Sequence, residues 1–162
     1  MDKEYFFEKA DTNDAADIAR LYQSVLGTPF CTWDESYPSN EQISADMDAG
    51  TLYVLRYSGE IIGAISIAPQ NELDHLVLWE NSHAREIARV VISPRCQGKS
   101  LALRMVLAAE DILKNNGYQA VHLLAALQNT PACKTYLKAG YSKRGTVFMY
   151  GNYYYAMEKA LL

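Results

Sequence analysis

The chain has no apolar run approaching the roughly 18 consecutive residues that a helical membrane span requires, which excludes an ordinary transmembrane helix. Its three cysteines, Cys31, Cys96 and Cys133, are odd in number and far apart. That spacing gives neither a disulfide framework nor a zinc site, and no metal is expected. Positive charge is scarce as well: 15 Lys and Arg stand against 19 Asp and Glu, a net charge of −4. No basic stripe gathers to neutralise phosphates, so a nucleic-acid partner is excluded. The first residues, Met1-Asp2-Lys3-Glu4-Tyr5, lack the basic, apolar, then small-residue order of a signal peptide. A cytoplasmic protein away from the membrane is the expectation. Internal repeats and linkers are absent too.

What is present suits one folded domain over residues 1–162: 49% of the residues are hydrophobic, enough for a sizeable core. Tyr5 to Lys9 reads as a first strand. Asp11-Thr12-Asn13-Asp14 is rich in helix-capping residues, and Ile18, Leu21, Tyr22 and Val25 follow at helical spacing until Gly27-Thr28-Pro29. Ser39 opens a second helix carrying Ile43 and Met47, with Gly50 closing it. Asp34, Glu35, Glu41, Asp46 and Asp48 in this region read as a solvated face. Thr51–Tyr57 and Ile61–Ala68 form a hairpin around Ser58-Gly59-Glu60. Pro69 to Asp74 reads as a loop, after which His75–Trp79 is expected to pair with a strand over Glu86–Ser93 across Glu80–His83.

The stretch Val90-Val91-Ile92-Ser93-Pro94-Arg95-Cys96-Gln97-Gly98-Lys99-Ser100-Leu101-Ala102 runs from an apolar strand through a polar loop into a helix. Such a junction points backbone N–H groups, backed by the positive helix end, at one spot and suits a phosphate or pyrophosphate. The helix carries Leu101, Leu103, Met105, Val106, Ala109, Ile112 and Leu113 and stops at Asn116-Gly117. Ala120–Leu127 then makes a strand parallel to the one before the loop. Thr130 is placed as the next helix cap, with Pro131 at the first helical position and Gly140 closing. Tyr141 to Lys159 makes a final hairpin turning at Gly151-Asn152.

Gly98-Lys99-Ser100 is also how a P-loop ends. That motif needs a glycine where this chain has Ser93, and Pro94 removes a backbone donor. The strand Ala120–Leu127 supplies no carboxylate for magnesium, which argues against nucleotide binding. From Val90 to Gly140 the chain instead resembles the GCN5-related N-acetyltransferases. Arg95-Cys96-Gln97-Gly98-Lys99-Ser100 matches their Gln/Arg-x-x-Gly-x-Gly/Ala loop at Arg95 and Gly98, with Ser100 departing from it. Asn129-Thr130-Pro131-Ala132-Cys133-Lys134-Thr135-Tyr136-Leu137-Lys138-Ala139-Gly140-Tyr141 follows their Asn-x-x-Ala-x-x-x-Tyr-x-x-x-Gly-aromatic element.

The resemblance implies a single α/β domain with a mixed, mostly antiparallel sheet, helices on both faces, and a splayed parallel strand pair that binds acetyl-coenzyme A. In that frame Val90, Val91 and Ile92 pair with the pantetheine arm. The amides from Gln97 through Gly98, Lys99, Ser100 and Leu101 to Ala102 take the pyrophosphate, with Arg95 and Lys99 as nearby charge. Asn129 contacts the pantetheine or positions its helix, and Tyr136 protonates the leaving thiolate. Glu86, two residues upstream of the expected position, is the candidate base, ahead of His83 and His122. Amide formation from a thioester needs a held donor, a neutral amine and a proton for the thiolate, so direct transfer in a ternary complex is expected. The rival reading is a module that senses acetyl-CoA without turnover. Acceptor choice is assigned to Pro29–Gly50, Pro69–Arg85 and Tyr150–Tyr155, whose aromatic and acidic residues suit a small cationic amine or a peptide amino terminus. The carboxyl-terminal strands could also pair two copies into a homodimer.

Overall fold

The structure, a computed structural model, describes residues 4–68 and 73–161. Strand β1, Tyr5–Lys9, leads through a short 3₁₀ turn into helix α1, Ala15–Ser24. At that junction Asp11 and Asp14 cap reciprocally: Asn13 N–H donates to Asp11 Oδ1 at 2.8 Å and Asp11 N–H to Asp14 Oδ2 at 3.0 Å. Ser39 Oγ accepts from Gln42 N–H and starts helix α2, Asn40–Asp48. Strands β2, Leu52–Tyr57, and β3, Glu60–Ile67, form the expected hairpin. Then come β4, Ala84–Ile92, helix α3, Leu101–Asn115, β5, Ala120–Ala126, helix α4, Thr130–Lys138, and the hairpin of β6, Ser142–Met149, with β7, Asn152–Ala160.

These strands form one sheet in the order β1-β2-β3-β4-β5-β7-β6, antiparallel throughout except for the parallel pair β4–β5. That pair needs a crossover connection, which α3 supplies. Helices α1 and α2 cover one face, where Ile18, Leu21, Tyr22 and Ile43 pack on Leu52, Val54, Ala64 and Val91. On the other face α3 and α4 lay Val106, Ala109, Leu113, Cys133 and Tyr136 against Ile65, Ile87, Val121 and Leu123. With both faces covered, β3 is buried at every residue from Ile61 to Ile67. Gly63 lets α3 come this close: a Cβ there would lie 2.8 Å from Ile92 Cδ1 and 2.9 Å from Met105 Sδ. No helix among the described residues is long and apolar enough to cross a membrane.

The expected strand over His75–Trp79 does not form; Leu73–Leu76 is a turn, and β4 begins at Ala84. Side chains satisfy this segment's backbone instead of a ladder. Arg144 donates to Leu78 O, while Glu158 accepts from the Glu80 and Asn81 amides at 2.9 and 3.0 Å. Trp79 stacks on His122 at 3.8 Å between centroids, and its Nε1–H donates to Leu73 O. Residues 69–72 of the expected Pro69–Asp74 loop, and Met1–Lys3 at the start, lie outside the described residues. The cap of α4 is Asn129 rather than Thr130. Its side chain accepts from Ala132 N–H at 3.2 Å, and Thr130 is already helical.

Candidate active site

Strand β4 pairs with β5 only through Ala84↔Ala120, Arg85↔Val121 and Glu86↔His122. Beyond that point β5 continues with β7 as far as Ala126↔Tyr154, while β4 departs. The departure coincides with a bulge against β3, where the register shifts between Ala64 and Ser66 and Arg89 takes φ +52°. An extra residue on one strand bends it and raises its twist. Val90, Val91 and Ile92 therefore lie where β4 has no β5 ladder. Val90 and Ile92 pack toward α3, and Val91 packs toward α1 and α2.

The strand ends in a loop built for exposed amides. Pro94–Cys96 is a 3₁₀ turn, and Gln97 N–H is engaged, at 3.4 Å, with Pro94 O. The Gln97 side chain donates to Ile92 O at 3.2 Å. Gly98 has φ +83° with open space around its Cβ position, and Ser100, the N-cap of α3, has φ +60° and no side-chain capping bond. The first backbone bond at this end of α3 is Arg104 N–H to Ser100 O at 3.2 Å. The amides from Gly98 to Ala102 thus have no backbone acceptor among the described residues, at the positive end of a 15-residue helix. Orphaned donors beside an open glycine fit a bound diphosphate. Lys99 is exposed beside them, whereas Arg95 is paired at the surface with Glu60.

Tyr136 comes from the second turn of α4, which Asn129 caps at the end of the β5–α4 turn. It is buried in the same cluster that Val90 packs against, with its ring edge-on to Tyr141 at 5.8 Å. Burial, with Cys133 nearby, pushes its hydroxyl pKa up, so the phenol stays protonated. Behind it Tyr141 Oη donates to Glu110 Oε2 at 2.9 Å and Lys159 Nζ to Glu110 Oε1 at 2.6 Å, which fixes the packing. Glu86 sits at the last rung of the closed part of the strand pair, opposite His122. His83 stacks on Tyr118 before β4 begins, and His122 is fully buried with Nε2 2.6 Å from Glu158 Oε2. Cys96 is half-buried beside the α3 amino terminus.

Sequence reasoning missed a second cluster on the α1–α2 side. Asp46, expected on a solvated face, is buried and joined to Arg89: Nε and Nη2 donate to Oδ2 and Oδ1 at 2.9 and 3.1 Å. Its helical neighbours gave no sign of this, because the partner lies 43 residues away at the bulge. Arg89 Nη1 also donates to Tyr37 Oη at 3.1 Å. Tyr37 and Tyr22 border a cleft of about 390 Å³ whose lining, among the described residues, includes Asp34, Glu35 and Glu41 and no Lys or Arg. Asp34 is held below the usual carboxylate range by Ser36, whose hydroxyl and amide both donate to it. Among the described residues Tyr22 Oη is the one fully buried side-chain polar atom without a hydrogen-bond partner.

Three solved structures show the same fold over nearly their whole length. One is yncA of Salmonella typhimurium, a proposed acetyltransferase seen with acetyl-CoA, at 18% identity and TM-score 0.77, covering 97% of this chain and 94% of that one. Another is the PaiA N-acetyltransferase of Thermoplasma acidophilum in complex with coenzyme A, at 16% and 0.77, covering 96% and 98%. The third is the ribosomal-protein-S18-alanine N-acetyltransferase of Escherichia coli, at 13% and 0.77, covering 97% and 94%. No curated protein matches the chain. The sequence model of the acetyltransferase (GNAT) family matches residues 18–141, a span running from α1 through the strand–loop–helix junction to the end of α4. The chain belongs to the acetyltransferase (GNAT) family.

Proposed function

We propose that the protein transfers an acetyl group from acetyl-CoA to a primary amine, directly and in a ternary complex. The observation that carries this reading is the open section of β4 running straight into the uncapped amino terminus of α3. The backbone of Val90, Val91 and Ile92 offers the pantetheine arm the pairing that β5 gives up. The amides from Gly98 to Ala102 take the pyrophosphate, with Lys99 as the loop's exposed charge. Bound acetyl-CoA supplies the thioester carbonyl. Tyr136, protonated at every working pH, holds a proton available to the departing sulfur. Asn129 fixes the α4 turn that carries it.

The acceptor enters from the α1–α2 side, where Asp34, Glu35, Glu41 and two tyrosines favour a cationic amine. Its excess proton passes to Glu86, directly or through water.

Calorimetric titration with acetyl-CoA, using Mg-ATP as the control ligand, tests the donor. Micromolar acetyl-CoA binding with silent ATP is expected, and silence toward acetyl-CoA overturns the reading. With an accepted amine, Tyr136→Phe lowers turnover by about tenfold or more and leaves acetyl-CoA affinity within about twofold. Unchanged turnover removes Tyr136 from its role.

A further inference from the structure

The bulge in β4 is occupied by an arginine in the left-handed region, a conformation that disfavours any side chain with a Cβ. Its guanidinium and the Asp46 carboxylate are nearly out of solvent, at 13% and 7% side-chain exposure. Packing alone does not call for this arrangement, since apolar residues of similar volume commonly stabilise a site as well as a buried ion pair does. Strain and buried charge at one point mark a place where geometry is being held.

The contacts show what is held. Asp46 ties α2 to β3 by accepting from Ser66 Oγ at 2.8 Å, and it also accepts from Gln42 Nε2 at 2.9 Å. Arg89 ties that carboxylate to the bulge and, through Nη1, to Tyr37 on the cleft wall. Tyr22, on the same wall, has Arg89, Asp46, Tyr37 and Ser66 as its charged and polar surroundings, and burial keeps its hydroxyl protonated. A guanidinium cannot serve as a base, and the fork on Asp46 leaves it no net charge to offer an anion.

We propose that Arg89 is a positioning residue: its fork on Asp46 and its third donor on Tyr37 hold the β4 bulge and the cleft wall as one body, aligning the donor strand with the acceptor cleft. This rests on the acetyl-CoA reading of the open strand. Arg89→Lys keeps the charge and removes the fork, while Tyr37→Phe cuts only the link to the cleft wall.

Four quantities are compared across the wild type and both variants. They are the thermal midpoint, the acetyl-CoA Kd by calorimetry, and the kcat and KM for thiol release with spermidine, tyramine or an alanyl peptide. Arg89→Lys is expected to lower kcat by about 10- to 100-fold, the scale of an ångström-sized misplacement, with Kd within about threefold. Tyr37→Phe follows with a smaller loss of kcat and an unmoved midpoint. If both variants lose only thermal stability and keep kcat per folded molecule, the pair is structural and the proposal fails.

Trp33 packs edge-on to Tyr22 at 5.4 Å, which gives a readout that needs no acceptor. In a Trp79→Phe background, acetyl-CoA should shift Trp33 emission in the parent and leave it unchanged with Arg89→Lys. Equal responses, or none in a parent that binds, overturn the proposal. A wild type that binds no acetyl-CoA overturns the donor reading itself, and this inference with it.

Discussion

The two ends of the β4–β5 pair are built on opposite principles. At the closed end Glu86, His122 and Glu158 stand in one cross-strand row. There the His122 ring lies under Trp79, and Glu158 is bonded to two backbone amides and the imidazole. At the open end a strand edge and the amides from Gly98 to Ala102 lack protein acceptors among the described residues, and the helix cap is left-handed and bondless. Polar groups satisfied from within make structure; groups left waiting make a binding site. The same contrast separates similar-looking acids, since Glu158 is consumed by the fold while Glu35 and Glu41 face the cleft.

Substitution at each end should have opposite consequences. Glu158→Ala strips three partners of a buried acceptor and is expected to lower stability by about 3 kcal/mol or more, with acetyl-CoA affinity of the folded protein intact. A chemical-denaturation series would break the comparison if the loss were under 1 kcal/mol by that ordinary measure of a surface change. Gly98→Asp, at the open end, brings a carboxylate to the waiting amides. Acetyl-CoA affinity should fall about tenfold or more, equivalent to ~1.4 kcal/mol. Stability should move by about 1–2 kcal/mol at most, because only the left-handed φ resists the new side chain. Calorimetry beside a melting curve separates the two effects.

Acid sharpens the contrast further. Burial holds His122 below its ordinary 6.5, in spite of Glu158. Burial pushes Glu158 up, yet the Glu80 amide, His122 and the Asn81 amide outweigh it and hold the carboxyl below its ordinary 4.5. Both groups therefore bind fewer protons when folded than when unfolded. Their contribution is complete above about pH 6.5, begins to fall below that value through His122, and falls again below 4.5 through Glu158. Each group adds a slope of at most about 1.4 kcal/mol per pH unit. Stability measured from pH 8 to pH 4 should show this decline, and His122→Gln should remove its upper part. The smallest effect is expected at Arg95. Its pair with Glu60 is exposed at 59% and 61%, so Arg95→Ala should change stability by less than about 0.5 kcal/mol and acetyl-CoA affinity by less than about threefold. A tenfold loss of affinity would instead place Arg95 on the phosphates.

The sequence was most legible where one element's pattern suffices: the α1 stripe, the two hairpins, and the strand–loop–helix junction with its glycine. It misled at His75–Trp79, whose apolar run looks like a strand but has Leu78 O taken by Arg144 and the amides just after it, of Glu80 and Asn81, taken by Glu158, from strands far along the chain. It also misled at Asp46, because an acid on a short polar helix looks solvated until a cation 43 residues later folds over it. Asn129 shows a milder case, where a motif residue carries the cap that local preference gave to its neighbour Thr130. Long-range side-chain pairing leaves no periodic trace, and the Arg89–Asp46–Tyr37 cluster on the α1–α2 side is built from it.

Gly63 pairs with Ile92 across the β3–β4 ladder and decides how closely the front of α3 can sit on the sheet. A single methyl there would meet Ile92 and Met105, the last residue of the open strand and the second turn of the helix whose amides wait for the diphosphate. The seat for the donor is thus set from behind: the distance between strand edge and helix end is gauged by an atom the chain leaves out.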